Sequence, residues 1–466
     1  MPELPAPGAP PPAPVNDRRE IWGWIWYDWA NSVFSTTVYT TLLGPYLTAL
    51  AQDAVGENGV VLSVLGFQVT AKSLYPLAIS ASVLLQVFLL PLLGAIADYT
   101  NLKKRLMILF CYLGVSATCL LFLITGSLYL WGALLFILAN FCFGASIVLY
   151  NAYLAEITTE DQRDSVSSRG FAWGYMGGGI LLALNLGLYQ GGSALGIAPA
   201  LAVRLSLLSA GLWWGGFALV TFRRLRTRTA PRALPAGQNL VTVGFRQLAQ
   251  TFRELRRLPH TARYLVAFLL YNDGIQTVIG VSSIFLSQEL FVARGLPVDN
   301  SFLIELILVI QFVAFGGSFL FAWIAARVGT KRAILISLVI WSGVIIYAYA
   351  ALHTIAEAWG LGVVIALVLG GSQALSRSLF SCMIPISREA AFFGIYEIAD
   401  EGTSWIGPLV FGLVVGATNS YREAILSIIV LMIIGAAILV VTNTRQAIAD
   451  AGNTPPAPPV AVGEPA

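Results

Sequence analysis

Charge is what this chain has least of. Asp, Glu, Lys and Arg make up 11% of its 466 residues, against about 25% in soluble domains. Histidine is nearly absent, with His260 and His353 far apart in sequence. No HExxH, GxSxG or Walker pattern occurs, so metalloprotease, serine-hydrolase and in-cis nucleotide-driven chemistry have no residues to carry them. The four cysteines, Cys111, Cys119, Cys142 and Cys382, lie in apolar runs without a CxxC spacing. A zinc site or disulfide framework is therefore not expected, and no metal or cofactor is assigned. Residues 1–15 lack the basic stretch and apolar core of a secretory signal, so the first apolar run is expected to stay as a span.

What the chain has is apolarity, at 57% hydrophobic residues. About 20 consecutive apolar residues cross a bilayer as a helix. Twelve such segments fit, over 22–50, 73–97, 106–125, 128–154, 170–190, 201–222, 264–291, 302–326, 333–353, 357–383, 392–417 and 421–442. The runs are continuous rather than alternating, which excludes a β-barrel. The expected fold is an all-α membrane protein with twelve transmembrane helices. Pro- and Ala-rich ends at 1–20 and 445–466 read as disordered extensions. Between them lie a six-helix bundle at 21–222, a basic linker at 223–262 and a second bundle at 263–444. In the linker, Leu248, Phe252 and Leu255 recur at helical spacing among Arg246, Arg253, Arg256 and Arg257. That is an amphipathic helix suited to the membrane surface, with a solvated basic linker as the alternative.

Basic residues cluster in alternate loops and at both termini, whereas the opposite face holds only Lys72, Arg204, Arg294 and Arg422. By the positive-inside rule both termini are cytoplasmic. The net charge of +3 is thus a topology signal, and no nucleic-acid binding is expected.

The two halves repeat each other. Tyr27-Asp28-Trp29-Ala30-Asn31-Ser32 opens the first span and Tyr271-Asn272-Asp273-Gly274-Ile275-Gln276 the seventh. A basic turn from Gly94 through Asp98 to Lys103, Lys104 and Arg105 corresponds to one from Ala322 through Arg327 and Gly329 to Lys331 and Arg332. The tracts 151–170 and 373–394 match more loosely, each with an amide, an Arg (Arg163, Arg388) and a Gly-opened helix. Three matches in one order indicate parallel repeats, as in six-plus-six transporters.

The basic turns resemble the signature G-x-x-x-D-(R/K)-x-G-(R/K)-(R/K) of the major facilitator superfamily. The first copy has Asn101 for the central Gly, and the second has Ala322 and Ala326 where Gly and Asp belong. Tyr27 to Ser32, Tyr150-Asn151-Ala152-Tyr153-Leu154-Ala155-Glu156-Ile157, Gln373-Ala374-Leu375-Ser376-Arg377-Ser378, Phe393-Gly394-Ile395-Tyr396 and Gly407-Pro408 resemble its vacuolar effluxer-like branch. Fungal members of that branch are linked to autophagy and export amino acids from the vacuole. The resemblance spans 22–444 and implies the superfamily fold. It also implies that Asp98 pairs across the two bundles at the cytoplasmic gate, where Arg388 and the N-terminal dipole of the eleventh helix are the available partners. Gly94, Lys103, Lys104, Arg327 and Lys331 complete the expected gate.

Charges inside a bilayer cost about 2.5–3.5 kcal/mol each at its centre. Asp28 lies about 10 Å into the first span and Asp273 about 14 Å into the seventh. Glu397, Asp400 and Glu401 share one face of the eleventh, the last two about 13 Å in. These acids either exchange protons and hold a substrate ammonium, or are paired permanently with Arg377 or Arg169. Asn31 and Gln276 extend the same polar stripes, and Arg377 joins the expected site. Tyr27, Tyr175 and Tyr396 are the aromatic cavity candidates, whereas Trp22, Trp24, Trp26 and Trp29 read as an interfacial belt. Glycines at 174, 177–179, 402, 407 and 412 are expected to let the fifth and eleventh helices move against the eighth and second.

The reading that results is a proton-linked secondary transporter of a small polar solute, with amino acids favoured over sugars. A non-transporting receptor or assembly factor of the same fold is the other class, and an enzyme is not expected. The chain is expected to act as a monomer in the lipid bilayer, in the plasma membrane of a prokaryote.

Overall fold

A computed structural model describes residues 15–56, 59–64, 67–71, 74–227, 240–296, 300–386, 388–400, 406–418 and 420–454. Among them ten helical stretches are long and apolar enough to span a membrane. Nine are single helices: α3 (Leu74–Tyr99), α4 (Lys103–Leu120), α5 (Tyr129–Ile157), α6 (Glu160–Gly191), α7 (Pro199–Arg224), α9 (Pro259–Leu286), α10 (Asn300–Val328), α11 (Thr330–Ala350) and α12 (Ile355–Cys382). The tenth is the pair α15 (Tyr421–Ser427) and α16 (Ile429–Val441).

The remaining two spans, the first and the eleventh, are built in pieces. The first runs as α1 (Arg18–Val33), a π-helical stretch Phe34–Leu42 and α2 (Leu43–Val55). The wider turn has a local cause. Thr40 and Thr41 donate their hydroxyls to the carbonyls of Ser35 and Thr36, five residues back, at 2.7 and 2.6 Å. Hydroxyls bonded at that spacing compete with the α-helical ladder and favour a π-turn. The eleventh takes in α13 (Glu389–Asp400), whose first turn precedes the apolar run that starts at Phe392, and α14 (Ile406–Thr418); Glu401 and Gly402 lie outside the described residues.

Twelve spans in two six-helix pseudo-repeats form the architecture, α1–α7 in one half and α9–α16 in the other. Three segments differ from the hydropathy reading. The loop 56–73 holds an antiparallel hairpin, β1 (Val60–Val64) with β2 (Phe67–Thr70), in the register Leu62↔Val69 and Val64↔Phe67. Helix α6 begins at Glu160 rather than at 170, so Arg163 stands on a helix rather than in a loop. Residues 445–450, read as part of a disordered tail, belong to α17 (Thr444–Asp450). Its start is capped by Asn443, whose side chain accepts from the Gln446 amide at 3.1 Å, the usual way an Asn satisfies a free N–H of a first turn.

The linker carries α8 (Leu240–Arg257). Val243 and Thr251 are buried, and Gly244 sits against Leu92 and Ile96 of α3. Phe245 and Phe252 stay exposed. One face therefore grips the bundle while an aromatic edge points outward.

Candidate functional site

A cavity of about 310 Å³ lies between the halves. Its first wall comes from α1 and its π-helical continuation, through Asp28, Asn31, Ser32, Ser35 and Thr36, with Asn151 of α5 and Phe171 and Tyr175 of α6. Its second wall comes from Asn272 and Gln276 of α9, Gln311 of α10, Gln373 and Arg377 of α12, and Tyr396, Glu397 and Asp400 of α13. The structure thus brings together Asp28, Asn31, Gln276, Arg377, Tyr396, Glu397 and Asp400 from residues scattered over both halves.

Asp273 is the exception. It is buried off the cavity, where its carboxylate accepts from the Gly407 amide at 2.7 Å. That bond caps the first turn of α14, a helix-start carboxylate role. The register explains the difference: with Tyr27 set against Tyr271, the counterpart of Asp28 is Asn272, and Asn272 faces the cavity. Its amide donates to Asp400 at 2.5 Å. Tyr27 is also buried away from the cavity, whereas Tyr175 and Tyr396 line it. Tyr396 is held between Phe268 and Phe380, at 4.3 and 4.8 Å between ring centroids.

Arg377 is the hub. It leaves α12 and enters the first half, where its guanidinium contacts Asp28 at 3.3 Å. It also donates to the Ser167 hydroxyl and carbonyl, both at 2.9 Å, and to Asn151 at 3.3 Å. Trp24 and Phe171 flank it, with the guanidinium carbon 4.8 and 4.2 Å from their ring centroids. Asp28 accepts in turn from the Tyr150 hydroxyl at 2.7 Å. Trp24, read from sequence as interfacial, is fully buried and stacks on Tyr150 at 4.4 Å. Gly170 makes this packing possible, since a Cβ there would run into the Asp28 carboxylate and lie 3.0 Å from the Arg377 guanidinium. Arg169, the other suggested counter-charge, is exposed elsewhere.

The halves are joined from this cavity to the end of the bundle that carries the termini, here the basic end. Tyr175 donates to Gln373 at 2.6 Å and Ser167 to the Ala374 carbonyl at 2.8 Å. Nearer the end, Arg163 donates to the Ser381 carbonyl at 2.9 Å and Thr330 to Asp164 at 2.5 Å. Asp98 accepts from the amides of Ala390 and Ala391 at 3.0 and 2.7 Å, the first turn of α13. Lys103 pairs with Asp98 at 3.4 Å and with Glu156. All three side chains are largely buried.

Arg388 does not reach Asp98. It bonds Glu254 at 3.2 Å, the Gln247 carbonyl at 3.2 Å and the Thr251 hydroxyl, so it pins α8 instead. The second basic turn stays within its own half: Arg327 stacks on Trp323 at 3.4 Å, and Lys331 donates to the Val440 and Thr442 carbonyls at 2.8 and 2.9 Å. Lys104 donates to the Leu225 carbonyl at 2.6 Å. Gly94 lies against the Ala390 backbone, and Gly394 against Leu90 and Pro91, so α3 and α13 cross at two glycines. Gly174, Gly177 and Gly178 face Ser32, Trp29 and Thr36 of the first span, and of this cluster Gly179 reaches α10. The fifth-helix glycines thus chiefly serve packing inside one half.

Two helical halves around a polar chamber are the build of a major facilitator transporter. Solved structures agree on the fold. The human organic anion transporter MFSD10 superposes with a TM-score of 0.66 at 14% identity, covering 92% of this chain and 100% of that one. The major facilitator transporter FucP in its outward conformation does so with 0.63 at 11% identity, covering 91% and 98%. The family model described as "Vacuole effluxer Atg22 like" matches residues 16–452, and the chain belongs to that family. The MFS-type transporter YxiO of Bacillus subtilis is 31% identical over 89% of this chain and 93% of its own. Autophagy-related protein 22-2 of Emericella nidulans is 26% identical over 93% and 92%.

Proposed function

We propose that this transporter carries an amino acid, or a closely similar zwitterion, through the chamber around Asp28 and Arg377, and that it is coupled to protons. The observation that carries this reading is the charge of the chamber: Arg377 shares one lining with Asp28, Glu397 and Asp400. A substrate carboxylate can replace Asp28 as the partner of the guanidinium, and a substrate ammonium can take the acids. Three carboxylates against one guanidinium leave the lining with an excess of negative charge, which an ammonium or a proton can balance. A sugar would use Asn31, Gln276, Gln311 and Gln373, but would leave that imbalance unanswered.

Alternating access follows if the cross-half contacts at the basic end break as contacts at the other end form. The positive-inside rule places that end in the cytoplasm, and the similarity to the Bacillus protein favours a prokaryotic plasma membrane. A single chain contains both halves of the chamber, so a monomer suffices.

The deciding measurement is counterflow in proteoliposomes with labelled amino acids and sugars at two pH values. Exchange of amino acids, faster at one pH, is expected. Exchange of sugars alone would overturn the substrate, and net uptake of the exchanged solute that an imposed proton gradient drives in neither direction would overturn the coupling.

A further inference from the structure

On the outer side of the first half, two parallel helices carry the same pair of residues at the same spacing. Arg18 precedes Trp22 by four on α1, and Arg169 precedes Trp173 by four on α6. One helical turn separates each arginine from its tryptophan, so both pairs stand on single faces. The two tryptophan rings meet edge to face at 5.7 Å. Both arginines are exposed, and they border a cleft of about 490 Å³ with Asn16, Gln162 and Ser165. Asp161 also borders it, two turns and about 12 Å along α6 from Arg169. Below the cleft an aromatic trough continues away from the basic end: Trp26 stacks on Phe217 at 5.4 Å and on Trp173 at 6.5 Å, and Trp29 on Trp213 at 5.4 Å.

We propose that this cleft holds an anionic phospholipid, its phosphate between Arg18 and Arg169 and its chain along the tryptophan trough. Tryptophan rings mark the level of the headgroups in a bilayer. The arginines leave their helices four residues, about 6 Å, farther out, toward the depth of lipid phosphates. A fork of donors on a planar cation suits a phosphate, and each basic group near the surface adds attraction to anionic lipid. Neither guanidinium is used by the chamber or by the contacts that join the halves, so the site stands apart from transport chemistry.

The test uses the full chain, purified in detergent and examined by native mass spectrometry with phosphatidylglycerol, phosphatidylcholine and glycerol 3-phosphate. Phosphatidylglycerol is expected to stay bound in preference to phosphatidylcholine, and glycerol 3-phosphate is expected not to displace it. In Arg18→Gln/Arg169→Gln its affinity is expected to fall roughly tenfold or more, and Arg18→Lys/Arg169→Lys should retain most of it. An unchanged affinity in the glutamine pair, equal retention of phosphatidylcholine, or displacement by glycerol 3-phosphate overturns the proposal. A measurement on the unaltered chain guards against misfolding: chain-brominated phosphatidylglycerol should quench tryptophan emission more than brominated phosphatidylcholine, and equal quenching counts against the site.

Discussion

At the scale of single residues, the Asp28–Arg377 pair is the contact on which the chamber turns. It bridges the halves inside the bilayer, and each member has further hydrogen bonds that fix its position. Removing one member of a buried pair leaves the other uncompensated, at about 3–5 kcal/mol. Asp28→Asn should therefore lower the melting temperature and abolish transport. Adding Arg377→Gln should restore part of the stability without restoring transport; a double variant less stable than either single one would refute the pairing. Gly170→Ala offers a subtler probe, because its Cβ meets both members of the pair. Overpacking of this kind costs about 1–3 kcal/mol, so the variant should fold with reduced thermal stability and slower counterflow. An Ala variant with unchanged kinetics would show that the pair has room to move. Sequence made the acids legible, since charge in an apolar run is conspicuous. It did not separate Asp273 from Asn272: a carboxylate is the costlier group in lipid and so the stronger signal, although the tyrosine register pointed to the amide. Tyr150, Ser167 and Gln311 carry no net charge, and only their three-dimensional neighbours give them a role.

Among elements, the broken and crossing helices define how the halves meet. Continuous apolar runs were readable because a bilayer demands them, and the ten long apolar stretches follow that pattern. The π-helical piece of the first span was not readable, because a threonine-rich stretch fits an α-helix equally well by hydropathy. The closure at the basic end was half readable. Asp98 and the start of α13 stood out as partners, but Arg388 was drawn away by α8, whose packing the hydrophobic pattern does not disclose. The second half shows the converse arrangement: Ala326 lacks the carboxylate, and the acid appears instead on α6 as Asp164, accepting from Thr330. Asp98→Asn removes a charged acceptor of two backbone amides, worth about 1.5–3 kcal/mol. It should shift the population toward opening at the basic end about tenfold or more, read as faster labelling of single cysteines placed along α3 and α13. Asp164→Asn should produce the same shift through the other seam. Unchanged labelling in both would mean that the closure rests on packing alone.

For the whole molecule, closure at the basic end gathers acids around one lysine, and that links shape to pH. Glu389, at the head of α13 and ahead of the apolar run that starts at 392, is buried beside Asp98 of α3, Lys103 of α4 and Glu156 of α5. Burial pushes its carboxyl up to about 7, with Lys103 opposing the rise and Asp98 and Glu156 adding to it. Opening would admit water and return Glu389 toward the ordinary value of about 4.3. The closed form then holds the proton more tightly than the open one. Closure is favoured most at low pH and weakens as pH climbs from about 4.3 to about 7, by up to tenfold per unit; above that both forms are ionised and the balance levels off. Double electron–electron resonance between spin labels on the basic-end tips of the two halves should report longer distances gaining weight across that interval. Glu389→Gln keeps the carbonyl acceptor and removes the titration, so its distance distribution should stay closed and flat with pH. A variant that retains the full slope would assign the linkage to other acids, either Asp98 and Glu156 beside Lys103 or those of the chamber.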